Sequence, residues 1–157
     1  MITKVFSSSA IKVPLEALER EEVFEELVDY LCQATHSRER EQILEAIRAR
    51  ESKMSTGIRK GIAIPHGKTN AVSGPVGVLG LSRNGIDYGS PDGEPVHILF
   101  MIVTPIEDSE THLRLLMHIA ELFEDPNFYN ELLAQKTASD AYTILQKYED
   151  LLITKDA

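Results

Sequence analysis

Two histidines stand where imidazole chemistry is possible: His66 in "GIAIPHGKT" (Gly61 to Thr69) and His112 in "THLRLLMHIAELFED". His66 follows an apolar run and is held between Pro65 and Gly67, residues that redirect a chain instead of filling a core. The pattern predicts a buried strand that ends at Pro65 and presents His66 at the rim of a cleft, with His112 likewise at the edge of a helix. A neutral imidazole can attack phosphorus and carry the group as a phosphoramidate, with no metal or cofactor. Each of the two, taken alone, fits a structural role better than a chemical one.

The other histidines call for no chemistry. His36 lies in a polar link and reads as solvated, His118 shares a helix side with Arg114 and Glu121, and His97 interrupts a strand as a hydrogen-bonded structural residue. No HExxH string, ligand-spaced carboxylate or second cysteine supports a metal site, so a small metal-dependent hydrolase using His66 and His112 is a distant alternative that chelation would test. GxxxxGK[ST], GxGxxG and GxSxG are all missing, which removes the sequence signatures of a nucleotide cradle, a dinucleotide fold and a serine elbow. Cys32, the single cysteine, excludes an internal disulfide and a CxxC site and reads as a small buried or half-buried side chain.

The elements that must position these residues are legible from periodicity. Val23, Phe24, Leu27, Val28 and Leu31 predict an amphipathic helix over about 21–34; Ile43, Leu44 and Ile47 predict a second, capped by Ser37 and ending near Glu51. After the turn-rich "ESKMSTGIRKG" come the short run Ile62 to Ile64 and the strands "PVGVLGLSR" and "EPVHILFMIVTP". The last is apolar almost throughout, as expected of a strand buried on both faces. "NGIDYGSPDGE" between them predicts a hairpin or long loop.

A third helix is expected after Ser109, with Leu113, Leu116, Ile119, Ala120 and Phe123 as its apolar stripe. Asp125-Pro126 starts a short helix over about 127–134, and Thr137 to Asp140 resembles a capping box ahead of Ala141, Ile144, Leu145 and Tyr148. Helices, then strands, then helices predict an α/β fold: a mixed β-sheet sandwiched by α-helices in a single domain spanning residues 1–157.

With 157 residues the chain can bury a substantial core, and its net charge of -9 repels nucleic acid and anionic membranes. The N-terminus lacks the apolar core of a secretory signal and no long apolar run occurs, so no membrane insertion and a cytoplasmic location are expected.

The segment "ARESKMSTGIRKGIAIPHG" (Ala49 to Gly67), followed by "THLRLLMHIAELFED", resembles the type two (fructose and mannitol) enzyme IIA family of the phosphoenolpyruvate-dependent sugar phosphotransferase system, which includes the nitrogen-regulatory enzyme IIA proteins. The resemblance covers nearly the whole chain: an Arg-Glu pair, a Ser-Thr-Gly turn, an apolar strand ending in Pro-His and a later His-Leu pair. It implies that His66 accepts a phosphoryl group through Nε2, that His112 lies beside it, and that Arg50 contacts the phosphoryl oxygens. Ser55, Thr56 and Gly57 would add backbone N–H groups or a hydroxyl, and a plain loop role suits them as well.

The implied donor is the phosphohistidine carrier HPr or its nitrogen-branch relative. The implied acceptor is an enzyme IIB cysteine, or the phosphoryl group serves as a signal to a regulatory target protein; no cofactor is implied. Both partners must reach one imidazole, so a shallow, partly apolar surface is expected, with Leu113, Leu116 and Met117 as contributors or as helix core. The chain is expected to act as a component separate from IIB and membrane-spanning IIC domains. Many relatives carry an acidic residue where this strand has His97, which leaves the subtype open.

Overall fold

A computed structural model describes residues 1–156, with the side chain of the last of these left aside. Helix α1 (Ile2–Val5), a 3-10 turn (Ser8–Ala10) and strand β1 (Ile11–Lys12) precede helices α2 (Arg20–Thr35) and α3 (Arg40–Glu51). Strands β2 (Gly57–Arg59), β3 (Ile62–Ala63), β4 (His66–Lys68), β5 (Val76–Ile86) and β6 (Val96–Thr104) follow, then α4 (Ser109–Leu122), α5 (Phe128–Leu133) and α6 (Ala138–Asp156).

The mixed six-stranded sheet runs β1-β5-β6-β3-β2, with β4 also paired to β6. The alternation of β6 separates two cores. Ile98, Phe100 and Ile102 pack toward α1, α4, α5 and α6, while Leu99, Met101 and Val103 pack toward α2 and α3. Helices therefore cover both faces, which the continuous apolar run of this strand requires.

The strand containing "GIAIPHGK" does not end at Pro65. Ile62 and Ala63 pair in parallel with Ile98 and Leu99, and after the proline His66, Gly67 and Lys68 pair with Ile102, Val103 and Thr104 in the same register. The proline tolerates this because its carbonyl still accepts from Ile102 N–H at 3.0 Å. What ends there is the second neighbour: β2 pairs antiparallel with β3 alone, and α3 takes its place beside β4. His66 thus stands inside a ladder and not on a free loop end.

Other expectations shift by a turn or less. Ser37 does not cap α3; its hydroxyl accepts from Glu39 N–H one residue before the helix begins. Asp108, not Ser109, caps α4 by accepting from Thr111 N–H. Thr137 accepts from Asp140 N–H as a capping residue should, and Ala141, Leu145 and Tyr148 are buried. Strand β5 runs on through Asn84 to Ile86, past the expected turn, because an irregular stretch between Leu81 and Ile86 absorbs the extra residues, with Gly85 at a φ of 86°. No helix among the described residues is long and apolar enough to cross a membrane.

Candidate functional site

Three elements and a loop meet at one cleft of about 460 Å³, lined by Ala46, Ala49 and Arg50 from α3, Lys53 in the loop just after it, His66, Gly67 and Lys68 from β4, and His112 and Leu116 from α4. Gly67 makes the approach of α3 possible. A Cβ on it would lie 2.9 Å from the backbone carbon of Ala46, closer than real contacts allow. Gly67→Ala is expected to lower stability by about 1–3 kcal/mol, as overpacking does, and to displace Arg50 from the cleft; urea denaturation midpoints check the first part.

His66 has a defined tautomer. Its Nδ1 lies 2.7 Å from the carbonyl oxygen of Ile64, and a carbonyl only accepts, so Nδ1 carries the hydrogen and Nε2 keeps the lone pair. Burial is the main cause that pushes the His66 pKa down, against the hydrogen bond to Ile64, and Arg50 and Lys68 add to the depression. The ring is a neutral imidazole whose free nitrogen is Nε2.

His112 is buried, with its ring centroid 5.2 Å from that of His66. Its Nδ1 is 2.7 Å from the hydroxyl of Thr104, the fully buried last residue of β6. Burial first, then His66, Lys68 and Arg50, push its pKa down to about 4. Because an unfolded chain takes up this proton nearer pH 6.5 and the folded one near 4, the unfolded state binds more protons between them and stability falls as pH drops through that window. The loss should amount to roughly 3 kcal/mol, and denaturant titrations across the window should show a shallower pH dependence in His112→Gln.

Burial of His112 also corrects the helix register. The inward face of α4 is His112, Leu115, Ile119 and Leu122, so Leu113 is 59% exposed and Met117 54% exposed, and Ala120 also faces solvent. Leucines at 113, 115 and 116 make the stripe ambiguous by periodicity; the partner that Thr104 offers an imidazole decides which face turns in. Leu113 and Met117 are thus exposed on the helix that supplies Leu116 to the cleft, and Met54, 69% exposed, lies on the loop after α3.

Arg50 donates through a terminal nitrogen to the carbonyl of Met54 at 2.9 Å, which leaves other guanidinium donors free. Lys68, two residues beyond His66 on the same strand, donates to Ser109 Oγ at 2.9 Å, at the first turn of α4. Arg50, Lys53 and Lys68 make no ion pair among the described residues, and no carboxylate lines the cleft. In a chain of net charge -9 this is a local concentration of positive charge.

His66, His112 and Arg50 are therefore brought together, whereas Ser55, Thr56 and Gly57 are not among the lining residues. Thr56 is buried, with its N–H and hydroxyl both directed to Glu51, and Ser55 Oγ accepts from Gly57 N–H. Lys53 and Lys68 were not singled out in the sequence. Strand alternation from His66 places Lys68 on its side of the sheet, the one available signal for it. Among the described residues no three His, Cys, Asp or Glu side chains converge as metal ligands.

Comparison with known proteins fits this arrangement. Residues 4–148 match the model of the family described as phosphoenolpyruvate-dependent sugar phosphotransferase system, EIIA 2. The chain is 36% identical over 148 residues to the fructose-specific EIIABC component of Bacillus subtilis, with 94% of this chain aligned but only 23% of that protein's length. It is 30% identical over 144 residues to a nitrogen regulatory protein of Bradyrhizobium diazoefficiens, covering 92% of this chain and 94% of that one. The crystal structure of the nitrogen regulatory protein IIA-Ntr from Neisseria meningitidis superposes with a TM-score of 0.82 at 28% identity, over 92% of this chain and 98% of that one. With the family match spanning nearly the whole chain and these relatives on either side of it, the protein belongs to the type 2 enzyme IIA family of the phosphoenolpyruvate-dependent sugar phosphotransferase system.

Proposed function

We propose that His66 accepts a phosphoryl group on Nε2 from a phosphohistidine carrier protein, HPr or a nitrogen-branch relative, and holds it for onward delivery. The observation that carries this reading is the fixed tautomer: Nδ1–H is committed to Ile64, so Nε2 is the nucleophile, in a cleft supplied with Arg50, Lys53 and Lys68. As the Nε2–P bond forms, the N–P bond to the carrier's imidazole breaks and its electron pair returns to that ring. The Nδ1 hydrogen stays in place, and its bond to the Ile64 carbonyl stabilises the positive charge that grows on the His66 ring.

Charge on the three equatorial oxygens of a loose transition state calls for fixed donors, and these are the roles of the remaining residues. Arg50 offers a planar fork, and Lys68, held by Ser109, a point charge. In this reading His112 takes the tautomer with its hydrogen on Nε2, where it bonds a phosphoryl oxygen, and its Nδ1 accepts from the Thr104 hydroxyl 2.7 Å away. The exposed Leu113, Met117 and Met54 supply apolar docking area around the imidazole.

The phosphoryl group then passes to a cysteine of an enzyme IIB, the reading favoured by similarity to the fructose component. Similarity to nitrogen regulatory proteins supports a second outcome, in which the phosphorylated and free forms differ in affinity for a regulatory target. Mixing the phosphorylated protein with a purified fructose-type IIB decides between them. Rapid loss of the phosphoryl group with labelling of the IIB cysteine is expected for the relay, and retention on His66 with a IIB competent toward its own IIA would assign the regulatory outcome.

A further inference from the structure

A buried carboxylate behind the cleft has no part in the chemistry above. Glu51, the last residue of α3 and the neighbour of Arg50, is 6% exposed and makes no ion pair among the described residues. Three donors converge on it: Thr56 N–H on Oε2 at 2.6 Å, and the hydroxyls of Thr56 and Tyr88 on Oε1 at 2.6 and 2.7 Å. The two hydroxyls are themselves 2.7 Å apart, and the Tyr88 ring is pinned edge-on against Phe24 of α2. A buried acceptor saturated in this way is a rigid joint, since losing any donor leaves a polar group unpaired.

The joint reaches both halves of the reactive pair. Its first arm is the loop between Glu51 and Thr56, which the Glu51 carboxylate closes; within it Arg50 donates to the Met54 carbonyl and Lys53 N–H to the Arg50 carbonyl. Its second arm runs through the backbone. The Thr56 carbonyl accepts from Ile64 N–H at 3.1 Å, and the Ile64 carbonyl is the acceptor that fixes Nδ1–H of His66.

We infer that Glu51, clamped by Thr56 and Tyr88, is a positioning residue that sets the placement of Arg50 and the tautomer of His66 together. The inference rests on His66 as the phosphoryl acceptor for its kinetic part only, because the tautomer is measured on the unphosphorylated protein. No proton passes along the chain of bonds, because the Thr56 N–H and C=O belong to different peptide units; the coupling is one of position, and since the Glu51 charge also acts on His66 directly, Tyr88→Phe, which keeps that charge, isolates the positional part.

The test compares the wild type with Glu51→Gln and Tyr88→Phe. Leu145→Ala serves as a control that weakens the core around α6, remote from this network. Nitrogen-15 NMR of the imidazoles reads the His66 tautomer, and rapid-quench transfer from phospho-HPr reads the rate. Wild type should show hydrogen on Nδ1 alone, the folded Glu51→Gln variant a mixture of tautomers with transfer slowed about 10-fold or more, and Tyr88→Phe a change in the same direction. Leu145→Ala should lower the melting temperature with tautomer and rate unchanged. If Glu51→Gln fails to fold, Tyr88→Phe, which keeps the ring, decides. A wild-type tautomer and rate in every folded network variant would overturn the inference, and a tautomer shift in the variants alongside a wild type that takes up no phosphoryl group would uphold it while sinking the acceptor role of His66.

Discussion

Replacing His66 by alanine is expected to leave a folded protein that takes up no phosphoryl group. The fold should survive because what His66 gives the sheet is backbone pairing with Ile102, which any residue supplies, and because Pro65 and Gly67 remain. The one side-chain bond lost is that to the Ile64 carbonyl, a loss on the order of 1 kcal/mol. Activity should not survive, because the other imidazole of the cleft cannot substitute. His112 is buried and its Nδ1 is engaged by Thr104. Intact mass after incubation with phosphoenolpyruvate, enzyme I and HPr should show one phosphoryl addition in the wild type and none in His66→Ala; an addition that persists would move the acceptor elsewhere.

Arg50→Ala should slow transfer by about 100- to 1000-fold, an effect of roughly 3–4 kcal/mol on the barrier, with the protein still folded. Arg50 is half-buried at the end of α3 and its one hydrogen bond is to a neighbouring carbonyl, so stability depends on it little. Its guanidinium is the only planar donor fork lining the cleft among the described residues. Arg50→Lys should recover only part of the rate, since an ammonium keeps the charge and loses the paired geometry. Single-turnover kinetics with phospho-HPr measure all three proteins, and a rate for Arg50→Ala within about twofold of wild type would remove Arg50 from the transition state.

Much of this arrangement was legible in the order of residues, for identifiable reasons. The long α2 stripe and the unbroken apolar run of β6 carry their burial in their own periodicity, and both were placed correctly. The inward face of α4 is legible only in part: Ile119 and Phe123 are buried as the stripe predicts, whereas Leu113 and Ala120 face solvent, because closely spaced leucines fit two faces and a tertiary contact between His112 and Thr104 chooses. Strand β1, two residues long, is too short for any alternation to register. The resumption of the sheet after Pro65 depends on which side of the strand lacks a neighbour, a fact of topology that no local rule contains.

Within the site, His66, His112 and Arg50 were reachable through their motifs, and the cleft does gather them. Lys68 was hidden in plain view, two positions along the strand from His66. The Ser55 to Gly57 turn fits a binding role and a plain loop role equally by sequence, and its polar groups are spent internally, on Glu51 and on one another. Glu51 shows why spacing alone misleads there: a carboxylate at the end of an exposed-looking helix turns inward because Thr56, five residues on, and Tyr88, from a distant part of the chain, converge on it.

The central claim, that Nε2 of His66 is the accepting atom, is tested most directly by heteronuclear NMR of the phosphorylated protein labelled with nitrogen-15. Phosphorus-nitrogen coupling at Nε2 of His66, with Nδ1 still bearing its hydrogen, is the predicted result, because the Ile64 carbonyl accepts that hydrogen in the unphosphorylated protein and the proposed transfer leaves it in place. Coupling at Nδ1 of His66, or at any atom of His112, would contradict it.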